Sequence, residues 1–177
     1  ITKAAGLRVI DVEFNDINGG SFSVTAAKLD SHFNANKNVL DAIRKDEMNL
    51  GLDDGSAYQS FKEAVEVERG KFMEFLHMAK ENGEVVCGLG ASTKGNVLLQ
   101  YYGITEELIK EIAEVNSDKF GCYTPGTHIP LVEESTVLSK NPDYLVVLPW
   151  HFRDFFLNQT NLKGKKLVFP LPRFEIV

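Results

Sequence analysis

Ser92, Thr93 and Lys94 stand together inside Cys87-Gly-Leu-Gly-Ala-Ser-Thr-Lys-Gly-Asn96, a stretch punctuated by Gly88, Gly90 and Gly95. Two hydroxyls and an ammonium among glycines are suited to holding an anion. The glycines let the backbone turn sharply and bring its N–H groups close to a ligand. If a helix starts there, its N-terminus adds further donors. The expected ligand group is a phosphate of a nucleotide-containing molecule. The glycine spacing matches neither the lysine-serine P-loop nor the G-x-G-x-x-G dinucleotide pattern. The same punctuation also serves as a plain tight turn in any α/β domain.

A second set of polar side chains lies further on. Asp118, Lys119, Tyr123, Thr127 and His128 fall in or beside Lys119-Phe-Gly-Cys-Tyr-Thr-Pro-Gly-Thr-His-Ile-Pro130. Long structureless loops in compact domains are often functional. His128 near Glu133 and Glu134 is a weak candidate for proton transfer. His151 and Arg153 follow a third apolar run. Cys87 and Cys122 lack metal-ligand spacing, so no metal site is expected. No nucleophile-base set is visible, and the residues read as a binding site.

The elements around these residues set their positions. Val85, Val86, Cys87 and Leu89 predict a buried strand, and Val97 to Tyr102 a helix ended by Gly103. Ile112–Asn116, residues 143–149 and residues 167–170 predict three more strands, with Thr105 capping a helical turn before the first. Short helices are expected at residues 133–140 and 150–158. The pattern is α/β: a Rossmann-like, doubly wound, mainly parallel sheet. Four loops then gather at the C-terminal edge, where such sheets bind ligands. Upstream, residues 7–14 and 21–28 alternate as an antiparallel pair, with Phe22, Val24 and Ala26 on one face. Gly19, Gly20 and Ser21 in their connection read first as a plain hairpin loop, though backbone this bare also allows close ligand approach. Leu40, Ile43 and Met48 mark a short helix. A long helix from Ser56 to about Asn82 carries the apolar stripe Tyr58, Phe61, Val65, Phe72, Phe75, Leu76 and Ala79, with His77 at the core edge. Residues 1–82 are thus a hairpin and helical segment leading into a core of residues 83–177, together one compact unit.

The chain has 177 residues, 44% of them hydrophobic, and a formal charge of −6. That is enough apolar content for a core, and the acidic balance argues against nucleic acid as a partner. Two cysteines make no disulfide framework and fit a cytoplasmic protein. No apolar run approaches a membrane span, and no signal peptide is seen. The opening Ile1-Thr-Lys-Ala-Ala-Gly6, without Met, is expected of a piece cut from a longer polypeptide.

Several segments in order resemble a known family: Ala5-Gly-Leu-Arg-Val-Ile-Asp-Val-Glu13, Asn18-Gly-Gly-Ser21, Gly88-Leu-Gly-Ala-Ser-Thr-Lys-Gly-Asn96, Tyr123-Thr-Pro-Gly-Thr-His-Ile-Pro130, Leu148-Pro-Trp150 and Pro170-Leu-Pro172. Together they look like the C-terminal domain of SAM-dependent sugar C-methyltransferases, which act on nucleotide-linked deoxysugars. The resemblance implies that Gly90, Ala91, Ser92, Thr93, Lys94, Gly95 and Asn96 contact the nucleotide diphosphate, dTDP-linked by expectation. It implies that Gly19, Gly20, Ser21 and the Thr127-His128 segment wall the sugar. It further implies that S-adenosylmethionine and the main catalytic base belong to an N-terminal SAM-binding domain, on which this one packs. By itself this fragment is then expected to be inactive. Two other readings stay open. One is a nucleotide- or CoA-binding module with no methyltransferase role. The other is an NAD-dependent oxidoreductase in which Asp118 binds ribose, although Thr93 stands where that pattern needs glycine.

Overall fold

The computed structural model describes residues 1–177, which divide into two compact units, Ile1–Glu63 and Ala64–Val177. The first unit is built on an antiparallel pair, β1 (Leu7–Asn15) and β2 (Ser21–Lys28). The register aligns Phe14 with Phe22 and Val12 with Val24 and shifts between Val9 and Asp11, leaving Ile10 as the extra residue. The freed Ile10 carbonyl accepts the Asn36 N–H at 2.8 Å, just before α1 (Lys37–Asn49). Arg8 donates to the carbonyls of Ser31 and Phe33, fixing the connection between β2 and α1. Asn18, Gly19 and Gly20 all have positive φ, a turn that glycine adopts without Cβ strain. The periodicity of α1 is right, but its apolar residues are only partly covered: Leu40 and Ile43 are half-buried and Met48 is exposed.

Helix α2 (Ser56–Glu81) crosses from the first unit into the second. Its apolar stripe divides at that crossing. Phe72, Phe75, Leu76 and Ala79 are buried, whereas Tyr58 and Phe61 are exposed. His77 is exposed too, so it is not a core-edge residue.

The second unit carries a six-stranded sheet. Its strands are β3 (Val86–Leu89), β4 (Ile112–Glu114), β5 (Leu131–Glu133), β6 (Tyr144–Val147), β7 (Leu167–Phe169) and β8 (Glu175–Ile176). Their order is β5-β4-β3-β6-β7-β8, parallel throughout except for the antiparallel β8. Helices α3 (Thr93–Tyr102), α4 (Glu134–Ser139) and α5 (Arg153–Leu157) complete it. The central strand β3 is fully buried, as its apolar run requires. One core cluster joins Phe72, Leu76, Leu99, Tyr102 and Ile112; the other joins Cys87, Val137, Val147, Phe156 and Phe169. The sheet is therefore covered on both faces, the condition for continuous apolar strands.

Three details depart from the sequence expectation. Residues 131–133 form strand β5, with Ile112 paired to Leu131. The C-terminus adds β8. The stretch from Thr105 forms turns instead of a helix, with Leu108 and Ile109 N–H groups both bonded to the Thr105 carbonyl. Ile104 and Ile109 are fully buried there, so packing of these two side chains fixes the link between α3 and β4.

Candidate functional site

The strand order places the switch point between β3 and β6. From β3 the chain moves outward through β4 and β5, then returns to the opposite side of β3 as β6. The loops leaving these two strands diverge, and the crevice between them is the standard ligand position of an open parallel sheet. The glycine turn leaves β3 here, and Pro149-Trp150 leaves β6.

Two glycines in this turn are required by close packing. A Cβ on Gly95 would lie 2.6 Å from Leu148 Cβ and 3.3 Å from the Leu148 carbonyl oxygen. A Cβ on Gly90 would meet the Pro149 ring at 3.0 Å, and Gly90 also has φ of +78°. The β3 turn is thus pressed directly against the end of β6. Ser92 is the N-cap of α3, its hydroxyl accepting the Gly95 N–H at 3.0 Å. Thr93 and Lys94 follow in the first helical turn, both exposed. No acidic residue occupies that turn, so the positive end of the helix dipole faces outward with Lys94 beside it.

Glu114, at the end of β4, was not among the expected site residues, yet it organises this loop. It is buried, and its carboxylate accepts four hydrogen bonds. Oε2 takes the Ala91 N–H at 3.2 Å and Lys119 Nζ at 3.1 Å, and Oε1 takes the Val115 and Asn116 N–H groups at 2.9 and 3.0 Å. Lys119 Nζ also donates to the Ala91 carbonyl at 2.9 Å. Burial by itself would raise the Glu114 carboxyl. The Asn116 N–H, the Lys119 ammonium and the Val115 N–H outweigh it and hold the group below the ordinary glutamate value. Lys119 is therefore a clamp on the glycine turn, with its ammonium already shared between two oxygens.

A cleft of about 360 Å³ opens between the start of α3 and the loop before β5, edged by Ser92, Thr93, Asn96, Lys119, Thr124 and Pro125. The Asn96 Oδ1 atom is buried and has no hydrogen-bond partner. Thr127 does not enter this cleft. Its hydroxyl lies 2.6 Å from that of Thr124, which also accepts the Ile129 N–H at 2.8 Å, so the pair fixes the Pro125–Gly126 turn. His128 is exposed with φ of 57°, and Glu134 accepts instead from Asn161 at 2.9 Å. Asp118 is exposed in a short turn, its N–H bonded to Asn116 Oδ1 at 3.0 Å. Tyr123 is exposed and bridges to Pro130. Gly19, Gly20 and Ser21 belong to the first unit, where the Ser21 hydroxyl donates to the Ile17 carbonyl at 2.9 Å.

His151 follows β6. Its Nδ1 is buried without a partner. Burial first, and then the neighbouring Lys94 charge, lowers its pKa below the ordinary imidazole value, so the ring is neutral at neutral pH.

The model of the C-methyltransferase C-terminal domain matches residues 16–172, nearly the whole chain. This chain belongs to that family. C-methyltransferase NovU of Streptomyces niveus is 27% identical over 178 residues, covering 99% of this chain and 42% of the relative. The domain thus spans less than half the length of that curated relative. No helix is long and apolar enough to cross a membrane.

In dinucleotide-binding sheets of this type, an acid about twenty residues after the glycine turn holds the adenosine ribose. Here that acid is Glu114, and all its acceptor positions are directed at Ala91, Val115, Asn116 and Lys119. Glu114 is thus committed to the loop and is not free to act as a ribose ligand.

Proposed function

We propose that this domain holds the nucleotide diphosphate of a nucleotide-linked keto-deoxysugar for a SAM-dependent C-methyltransferase, of which it forms the C-terminal part. In this reading the methyl donor and the main base come from the N-terminal remainder of the polypeptide, which packs on this domain. The observation that carries the reading is the glycine turn at the switch point. It offers a Ser92-capped helix N-terminus with no acid in its first turn, and Lys94 next to it. A diphosphate meets directed N–H donors and a positive charge there. The family membership supports the same assignment, since a C-methyltransferase must hold its acceptor still while a C–H bond beside a carbonyl is deprotonated.

Calorimetric titration with dTDP and UDP, beside the Lys94→Ala variant, tests the reading. Dissociation constants from micromolar to low millimolar, about 4–8 kcal/mol of binding, are expected. Lys94→Ala should weaken them at least fivefold. CoA should bind no better than its diphosphate part. Tight CoA binding with indifference to dTDP would instead favour a CoA module.

A further inference from the structure

Two clefts flank α3, one against Lys94, Val97, Leu98 and Tyr101, the other against Ser92, Thr93, Asn96 and Leu99. The one toward β5 mixes the polar Ser92, Thr93 and Asn96 with the apolar Leu99, Ile112, Leu131 and Leu148. The other is a cavity of about 330 Å³ between α2, α3 and the loops after β6 and β7, with Val65, Val97, Tyr101, Trp150 and Leu171 around it and Lys94 at its edge. Its size is within the range of small-molecule sites, roughly 300–1,000 Å³. Apart from Lys94 its walls are apolar or aromatic. The Tyr101 ring is held in place: its hydroxyl donates to Glu66 at 2.5 Å, and the Arg69 guanidinium sits 5.9 Å from the ring centre.

The geometry points to this aromatic cavity as the seat of the nucleobase of a pyrimidine nucleotide whose phosphates lie on the glycine turn. The inference rests on the diphosphate reading above and adds the direction in which the ligand runs. A sugar placed in this cavity would lose water from its hydroxyls and find almost no partners, which is costly. A flat base gains from aromatic and aliphatic walls. The sugar then extends the other way, into the cleft that carries Ser92, Thr93 and the buried, unpartnered Asn96 Oδ1. Lys94 stands where the two directions part and pairs with the phosphates between them.

Trp150 is the single tryptophan of the chain and stands in the wall of this cavity, so its emission can report binding there. Val97 is 62% exposed on α3, and Val97→Phe narrows the cavity without touching the core. Circular dichroism checks first that the variant folds. Binding of dTDP should change Trp150 emission. Inorganic pyrophosphate should displace dTDP while leaving the emission of the free protein unchanged. Val97→Phe should weaken dTDP at least tenfold and leave pyrophosphate affinity unaltered. If dTDP binds by calorimetry, is displaced by pyrophosphate, and yet neither Trp150 emission nor Val97→Phe responds, the base lies elsewhere; the inference fails and the phosphate reading stands. An equal emission change with pyrophosphate alone also sinks it, since that reports movement of Lys94 and not stacking. If neither dTDP nor pyrophosphate binds, the phosphate reading falls and this inference with it.

Discussion

At the scale of single residues, the glycine turn depends on a buried acid whose carboxylate is engaged by four protein donors. Glu114 joins the end of β4 to Ala91, 23 positions earlier in the chain, and its charge is balanced by Lys119. Replacing it with Gln keeps the shape but turns an amide N–H₂ toward donors that need an acceptor. Glu114→Gln should therefore lose about 2–3 kcal/mol of stability at pH 7, read as a lower urea midpoint. The pH dependence has a definite sign. The folded-state carboxyl is held below its ordinary value of 4.5. Its contribution is fully present above that value and disappears as pH falls through the lower folded-state value. The gap between wild type and Glu114→Gln should be flat near neutrality and shrink below about pH 4.5. A gap that stays constant into acid would show that shape, and not charge, is at work. Lys119→Met should cost less, because the three backbone donors to Glu114 remain.

At the scale of elements, the contact between the β3 turn and the end of β6 sets the site's geometry. Gly95→Ala places a methyl carbon 2.6 Å from Leu148 Cβ. That atom belongs to a buried residue beside the sheet and has little room to yield, so the change should cost about 1–3 kcal/mol. It should also weaken dTDP binding by displacing Ser92 from its capping position. Gly70→Ala is the matched control. It lies inside α2 with open space around its Cβ position, and should stabilise by about 0.5–1 kcal/mol. Chemical denaturation of both variants decides the matter, and a Gly95→Ala protein as stable as wild type would contradict the packing argument. The same element scale shows what the sequence made legible. Strands β3, β6 and β7 are plain as short β-branched and leucine-rich runs, and the glycine turn between β3 and α3 announces itself by composition. Strand β5 does not: Leu131 and Val132 become a strand only because Ile112 and Ala113 offer a parallel edge some twenty residues away. Glu114 was missed for a related reason. An acid in an apolar run looks like one exposed strand position, and only the fold brings Ala91 N–H to it. Tyr58 and Phe61 continue the α2 stripe by periodicity, yet periodicity does not say where the covering layer stops.

At the scale of the whole molecule, the two cysteines offer a way to measure how the second unit opens and whether a ligand holds it shut. Cys87 is buried in the central strand, and burial, with the Glu111 charge adding to it, pushes its thiol up to about 11. Cys122 is exposed in the loop before β5. A disulfide reagent at pH 7.5 should therefore label Cys122 at once and Cys87 only after β3 is uncovered. The Cys87 thiol becomes reactive in the open form, where its proton is lost normally. When opening and closing are fast relative to labelling, the slow rate follows the population of the open form. Mild urea should then accelerate Cys87 and leave Cys122 unchanged. A ligand that binds only the folded unit lowers that population by mass action, and at a hundred times its dissociation constant contributes about 2.7 kcal/mol. Saturating dTDP should accordingly slow Cys87 labelling by about a hundredfold. If Cys87 instead reacts at one rate with and without urea, β3 is reached by a local opening that keeps most of the sheet intact. If dTDP leaves that rate unaltered as well, the site and the central strand are not part of one cooperative unit, although β3 runs directly into the glycine turn.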